Sequence, residues 1–287
     1  MSDIITRFAP SPTGRLHIGH AYSALYAFNL ARTRTGKFLL RIEDIDGGRC
    51  RPEFIGGIYE DLAWLGLAWE EPVWRQSERM DVYQKALKTL EVRGVLYPCF
   101  CTRKEIEAEI AGAVSAPHGP EGALYPGTCR NLSRSERQER IAAGEAYALR
   151  LNMAEAIAQA GPLTWYEEGE GEHKGAQTAT PEVMGDVVLA RKDVPASYHL
   201  CVVIDDAAQG VTHVTRGEDL FYATHLHRLL QALLDVPVPV WSHHKLLLDE
   251  NGKRFAKRNE SVTLEHLRCH RELTPQSVIK SFDSYCR

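Results

Sequence analysis

The chain has 287 residues, 44% apolar and 25% charged, with 22 Gly and 14 Pro, a globular composition that excludes a mostly disordered chain. No run approaches the ~20 apolar residues of a membrane span, and Met1-Ser2-Asp3-Ile4-Ile5 lacks a leader pattern, so a cytoplasmic protein with no membrane partner is expected. The net charge of −4 excludes a purely electrostatic hold on long nucleic acid; residues 243–287 hold nine Lys/Arg against six Asp/Glu, while 1–242 hold 25 against 32, so any such partner is met locally.

In chain order, residues 4–8 predict a short buried strand ended by Pro10 and Pro12, and 19–35 a helix stopped by Gly36. Residues 37–43 predict a second buried strand, so the opening reads as a parallel βαβ unit with its functional face at the strand C-termini. Helices follow at 53–65 and 78–93. The segment 97–180 changes character: it holds a Cys cluster, a Gly/Pro-rich loop at 112–127, capping boxes at Thr102/Glu105 and Ser133/Glu136, and a charged loop from Glu167 to Lys174. It reads as an insertion. Apolar strands return at 186–191 and 199–205, followed by a helix at 219–234 and a Pro-bounded strand at 237–241. The last helix starts at Thr274-Pro275.

Three constellations carry chemistry. Arg7-Phe8-Ala9-Pro10-Ser11-Pro12-Thr13-Gly14 leads into His17-Ile18-Gly19-His20 where a strand gives way to a helix. A helix N-terminus offers unpaired N–H groups to phosphate, two His add hydrogen bonds to a phosphoryl group, and Gly19 leaves room for a flat ring. Gly252-Lys253-Arg254-Phe255-Ala256-Lys257-Arg258 is a compact basic loop suited to a polyphosphate leaving group, with weight only beside the first element. The seven Cys form no even disulfide framework; Cys99, Cys101 and Cys129 offer soft thiolate ligands for Zn²⁺ with one tetrahedral position open, for which His118 is a common ligand type.

His17-Ile18-Gly19-His20 resembles the HIGH signature of class I aminoacyl-tRNA synthetases, and Arg254–Arg258 resembles a degenerate KMSKS loop with Arg254 and Ala256 in place of Lys and Ser. The opening motif, Arg41-Ile42-Glu43-Asp44 and Val214-Thr215-Arg216-Gly217-Glu218-Asp219 are similar to the glutamyl/glutaminyl branch. The resemblance implies an α/β fold with a Rossmann-like parallel catalytic core at 1–96 and 185–244. It also implies a zinc-containing, acceptor-stem-like insertion at 97–184, and a KMSKS-like loop with a short helical C-terminal segment at 245–287. It implies a glutamate pocket of Arg7, Ala9, Ser11, Glu43, Tyr198 and Arg216, with Glu43 on the ammonium and Arg7, Tyr198 and Arg216 on the two carboxylates. It implies ATP at His17, Gly19, His20 and Lys257, with His17, His20 and Lys257 catalytic, and Tyr125 as the fourth ligand to a structural Zn²⁺.

Because the chain reaches Arg287 just past the KMSKS-like loop, no anticodon-binding domain is expected, and the resemblance is to the truncated paralogues of the branch. Those imply MgATP-dependent activation of glutamate without tRNA, then transfer to the queuosine base in the anticodon of tRNA(Asp), by a monomer. Glutamate and glutamine are isosteric, so Arg must discriminate by charge. The alternatives are a minimal glutamyl-tRNA synthetase that works with a partner and a non-catalytic tRNA-binding module.

Overall fold

Ile5–Phe8 forms β1, and its apolar side chains enter the core while the chain turns at Pro10 into α1 (Ile18–Thr33). The buried face of α1 is Ile18, Ala21, Ala24, Leu25, Ala27 and Ala31; its small alanines bring the helix close enough for the Thr6 hydroxyl to donate to the Ala27 carbonyl at 2.9 Å. Gly36 is required at the next turn, because a Cβ there would lie 2.1 Å from the Ile4 carbonyl oxygen. This computed structural model describes residues 4–112, 118–120, 122–170, 172–248, 263–270 and 273–285.

The chain continues through β2 (Lys37–Ile42), α2 (Pro52–Trp64), β3 (Glu70–Arg75), α3 (Met80–Val92), β4 (Leu96–Cys99) and α4 (Arg103–Gly112). Short strands β5 (His118–Gly119) and β6 (Gly122–Ala123) precede α5 (Arg134–Ala142), β7 (Ala148–Leu151), α6 (Met153–Ala160), β8 (Thr164–Glu167) and β9 (Gly175–Thr178). Then come β10 (Val188–Ala190), α7 (Tyr198–Ala208), β11 (His213–Gly217), α8 (Ala223–Leu234), β12 (Val240–His244), α9 (Leu264–His270) and α10 (Pro275–Tyr285). No described helix is long and apolar enough to cross a membrane.

β1, β2 and β3 pair in parallel, as do β11 with β12 and β12 with β8, while β9 runs antiparallel on the edge of β8. Two hydrogen bonds between Ile5 and Thr212, at 2.8 and 3.0 Å, set β11 beside β1. The strands therefore lie in the order β3-β2-β1-β11-β12-β8, a parallel α/β sheet. The C-termini of β1, β2, β11 and β12 gather at one edge, where the α1 N-terminus also lies; open parallel sheets bind ligands at such edges. A separate antiparallel sheet, β10-β7-β4, carries the Cys segment.

Two expectations change. Residues 199–205 are the body of helix α7, not a strand: Leu200, Cys201, Val202, Val203, Asp205 and Asp206 are all buried, so the helix has no polar stripe and its short apolar run mimics a strand. The strand expected at 237–241 begins at Val240 and extends to His244, since Pro237 and Pro239 cannot donate to a ladder. Segment 97–184 contributes to two sheets, because β8 joins the main sheet with Glu167 level with Trp241 of β12. Both expected capping boxes are present, Thr102 with Glu105 and Ser133 with Glu136.

Candidate active site

The turn from β1 into α1 is locked by its two histidines. His17 is the N-cap; its Nδ1 accepts from the Gly19 N–H at 3.2 Å, and His20 Nδ1 accepts from the His17 N–H at 3.2 Å. Both rings therefore carry their proton on Nε2, the nitrogen that can donate to a phosphoryl oxygen. The rings lie with centroids 3.8 Å apart, and both line a cavity of about 530 Å³ at the strand C-termini.

Arg7, Ala9, Glu43, Tyr198 and Arg216 line the same cavity with Gly19, so β1, α7, β11 and the residues just after β1 and β2 bring these expected pocket residues to one space. Ser11 is exposed and is not among the lining residues. Below the cavity lies a buried ion network absent from the sequence reading. Arg7 Nε pairs with Asp206 Oδ1 at 3.0 Å, and Arg7 Nη1 donates to the Thr215 carbonyl at 3.0 Å. Arg41 pairs with the same Asp206 oxygen at 2.8 Å and lies 3.5 Å from Glu43; Asp205 is held by Arg79 and Tyr83, each at 2.8 Å. Burial pushes the Asp206 carboxyl up, but Arg7 and Arg41 outweigh it and hold the group below the ordinary carboxylate range. At Glu43 burial wins over Arg41 and Arg7, and the carboxyl rises to about 7. The visible signal was the pair Asp205-Asp206 closing an apolar run, since carboxylates so placed need buried partners.

Arg216 sits at the end of β11 and reaches across the sheet. Its Nε donates to His243 Nε2 at 3.1 Å, its Nη1 to His227 Nδ1 at 3.1 Å, and its Nη2 to the Thr224 hydroxyl. Burial lowers His243 to about 4 and His227 well below the usual imidazole range, with Arg216 acting in the same direction, so both rings are neutral.

The basic loop Gly252–Arg258, with Lys257, Arg254 and Ala256, lies outside the described residues. Its described flanks reach the cavity: Leu246 and Leu247 line it, Thr263 bridges to His17, and the Leu264 N–H donates to the Leu16 carbonyl at 2.9 Å.

In the other sheet the sulfurs of Cys99, Cys101 and Cys129 lie within 4.8 Å of one another. The Tyr125 hydroxyl is 3.4 Å from Cys99 Sγ and 3.6 Å from Cys101 Sγ, and accepts from the Cys129 N–H at 2.9 Å. The Arg150 guanidinium lies 3.9 Å over the Tyr125 ring. These four side chains could hold a metal ion. The side chain of His118, the alternative ligand, lies outside the described residues.

This fold and this pairing of a two-histidine turn with an Arg-rich pocket define a class I synthetase core. The profile described as tRNA synthetases class I (E and Q), catalytic domain, matches residues 3–281, and the chain belongs to that family. Among curated relatives, the glutamyl-Q tRNA(Asp) synthetase of Rhodobacter capsulatus is 50% identical over 92% of this chain and 95% of its own length. That of Symbiobacterium thermophilum is 43% identical over 95% of this chain and 83% of its own length. Within the family the chain is a ligase that groups with the glutamyl-Q tRNA(Asp) synthetases. The solved glutamate tRNA ligase of Elizabethkingia meningosepticum, in complex with its amino acid, superposes with a TM-score of 0.74 at 29% identity, over 90% of this chain. This chain covers 52% of that one, about half its length.

Proposed function

We propose that this chain activates L-glutamate with MgATP, in the absence of tRNA, to glutamyl-adenylate, and passes the glutamate to the queuosine base in the anticodon of tRNA(Asp). The observation that carries the reading is a single cavity lined both by His17, Gly19 and His20 and by Arg7, Glu43, Tyr198 and Arg216. A phosphate site and a site for a dicarboxylic ammonium compound share one space.

In the first step a glutamate α-carboxylate oxygen attacks the α-phosphorus of ATP, and the bond to pyrophosphate breaks. The Nε2–H groups of His17 and His20 take up charge on the phosphoryl oxygens, and Lys257 receives the departing pyrophosphate. Glu43 holds the ammonium, Arg7, Tyr198 and Arg216 hold the carboxylates, and Ala9 leaves room beside them. Ser11, of the same opening loop, is assigned to the glutamate pocket with them. The chain needs to supply only position and charge, so no side-chain nucleophile is required. In the second step a hydroxyl on the cyclopentene ring of queuosine attacks the activated carbonyl and AMP leaves.

Cys99, Cys101, Cys129 and Tyr125 are proposed to hold one structural Zn²⁺. A tetrahedral zinc would separate its sulfurs by ~3.8 Å and its sulfur and oxygen ligands by ~3.5 Å. The Cys101–Cys129 distance of 3.4 Å and the Tyr125 contacts of 3.4 and 3.6 Å suit that spacing. The Cys129 N–H and Arg150 are placed to stabilise a Tyr125 phenolate. With four protein ligands, the ion would brace a segment whose own apolar cluster is small.

Pyrophosphate exchange with glutamate in the absence of tRNA tests the first step; exchange that requires tRNA, or runs equally well with glutamine, refutes it. Transfer of labelled glutamate to tRNA(Asp) with and without queuosine tests the second. Equal transfer to both, or charging of tRNA(Glu), would favour an ordinary glutamyl-tRNA synthetase activity.

A further inference from the structure

The two arginines of the pocket differ in how their charge is balanced. Arg7 is in direct contact with the Asp206 carboxylate, whereas Arg216 is bonded to His243, His227 and Thr224. Among the described residues no carboxylate ion-pairs with Arg216. Tyr198 and, from beyond ion-pair distance, Asp206 also favour its charge, and a further anion stands one residue removed, behind His243. His243 Nδ1 lies 2.6 Å from Glu167 Oε2, and Glu167 Oε1 accepts from the backbone N–H groups of His243 at 2.9 Å and Gly169 at 2.8 Å.

A guanidinium can only donate, so it dictates the tautomer of every imidazole it touches. His243 must accept at Nε2 and hence carries its proton on Nδ1, which donates to Glu167. His227 accepts at Nδ1 and donates from Nε2 to His199 Nδ1, 3.1 Å away. Sheet register assembles the first of these chains: Arg216 and His243 are partners on β11 and β12, and Glu167 ends the neighbouring β8. Thr224 and His227 stand three residues apart on α8, on one helical face.

We propose that Glu167, acting through His243, is a positioning and specificity-determining residue: it holds Arg216 in place without neutralising it, so that the cavity selects a second carboxylate over the isosteric amide. A carboxylate bonded directly to Arg216 would orient it equally well but would leave it little preference for an anionic ligand. The relay separates orientation from charge balance. This inference rests on the glutamate pocket assigned above.

The test is Glu167→Gln, which keeps the shape and reverses one hydrogen bond. The amide oxygen still accepts from the His243 and Gly169 N–H groups, and the amide nitrogen then faces His243 Nδ1 as a donor. His243 must shift its proton to Nε2 and point it at Arg216. Dissociation constants for glutamate, glutamine and ATP are measured by calorimetry on the full chain. The expected result is glutamate binding weakened by about ten-fold or more, as for a lost hydrogen bond to a charged group. Glutamine binding and ATP binding stay within about two-fold, so the glutamate-to-glutamine ratio narrows. Thr224→Val, which removes one neutral acceptor from Arg216, shifts the ratio in the same direction and by less. Unchanged glutamate binding in Glu167→Gln overturns the proposal, as does parallel weakening of glutamate, glutamine and ATP, the mark of a merely structural role. Pyrophosphate exchange in the unaltered chain is read separately: its absence alongside the expected binding changes would count against adenylate formation and not against the relay.

Discussion

In the proposed pocket, a Glu43 carboxyl that holds the glutamate ammonium makes substrate binding depend on pH near neutrality. This carboxyl is buried, and although Arg41 lies 3.5 Å away, that cation is shared with Asp206 and Asp205. Burial therefore dominates and the group titrates at about 7 in the ligand-free site. A bound ammonium requires the carboxylate, so below that pH each glutamate that binds must expel a proton, and affinity falls as pH falls. With the apparent Kd rising as 1 + 10^(pKa − pH), the penalty is about eleven-fold at about pH 6 and about 1.1-fold at about pH 8, about a ten-fold change overall. Free glutamate keeps one charge state across this range, so the change belongs to the protein. The assay is KM for glutamate in pyrophosphate exchange at saturating ATP. Glu43→Gln supplies the control: it raises KM by about ten- to one hundred-fold at every pH, the loss of a charged hydrogen bond, and abolishes the slope. A flat KM in the unaltered chain, or the same slope in the variant, would refute the reasoning.

Three further outcomes follow from the geometry. His20→Ala removes an Nε2–H donor and the partner of the His17 N–H, and is expected to lower kcat of exchange by about 10²–10³ with KM for glutamate little changed; a pure KM effect would contradict the assignment. Asp206→Asn leaves Arg7 and Arg41 buried without their shared carboxylate, and a loss of about 3–5 kcal/mol in urea unfolding is expected. A loss below about 1 kcal/mol would mean that water or Asp205 compensates. Elemental analysis is expected to give one zinc ion per unaltered chain and none in Cys129→Ser, with a larger fall in melting temperature than in exchange rate. Equal zinc content in both proteins would rule out the Cys99, Cys101, Cys129 and Tyr125 site.

What the sequence made legible divides along a physical line. The opening strand, α1 and β2 were readable because each is punctuated locally: Pro10 and Pro12 end β1, Gly36 ends α1, and the apolar runs lie between them. His17, Gly19 and His20 were readable because they share one turn, and their mutual capping needs only neighbours in the chain. Helix α7 reads as a strand because burial on both faces erases its period, and the two aspartates in its last turn lie beneath the cavity. The groups that tune the pocket come from far along the chain: Arg7 meets Asp206 199 residues away, and His243 meets Glu167 across 76. Glu167 reads locally as the first residue of a charged loop, yet it is buried and hydrogen-bonded at the end of β8. Counter-charges are set by which strands become neighbours, and strand order is not a local property. The residues proposed to touch substrate could thus be recognised by type and turn, whereas those that set their charge state emerge only once β8, β12 and β11 are side by side.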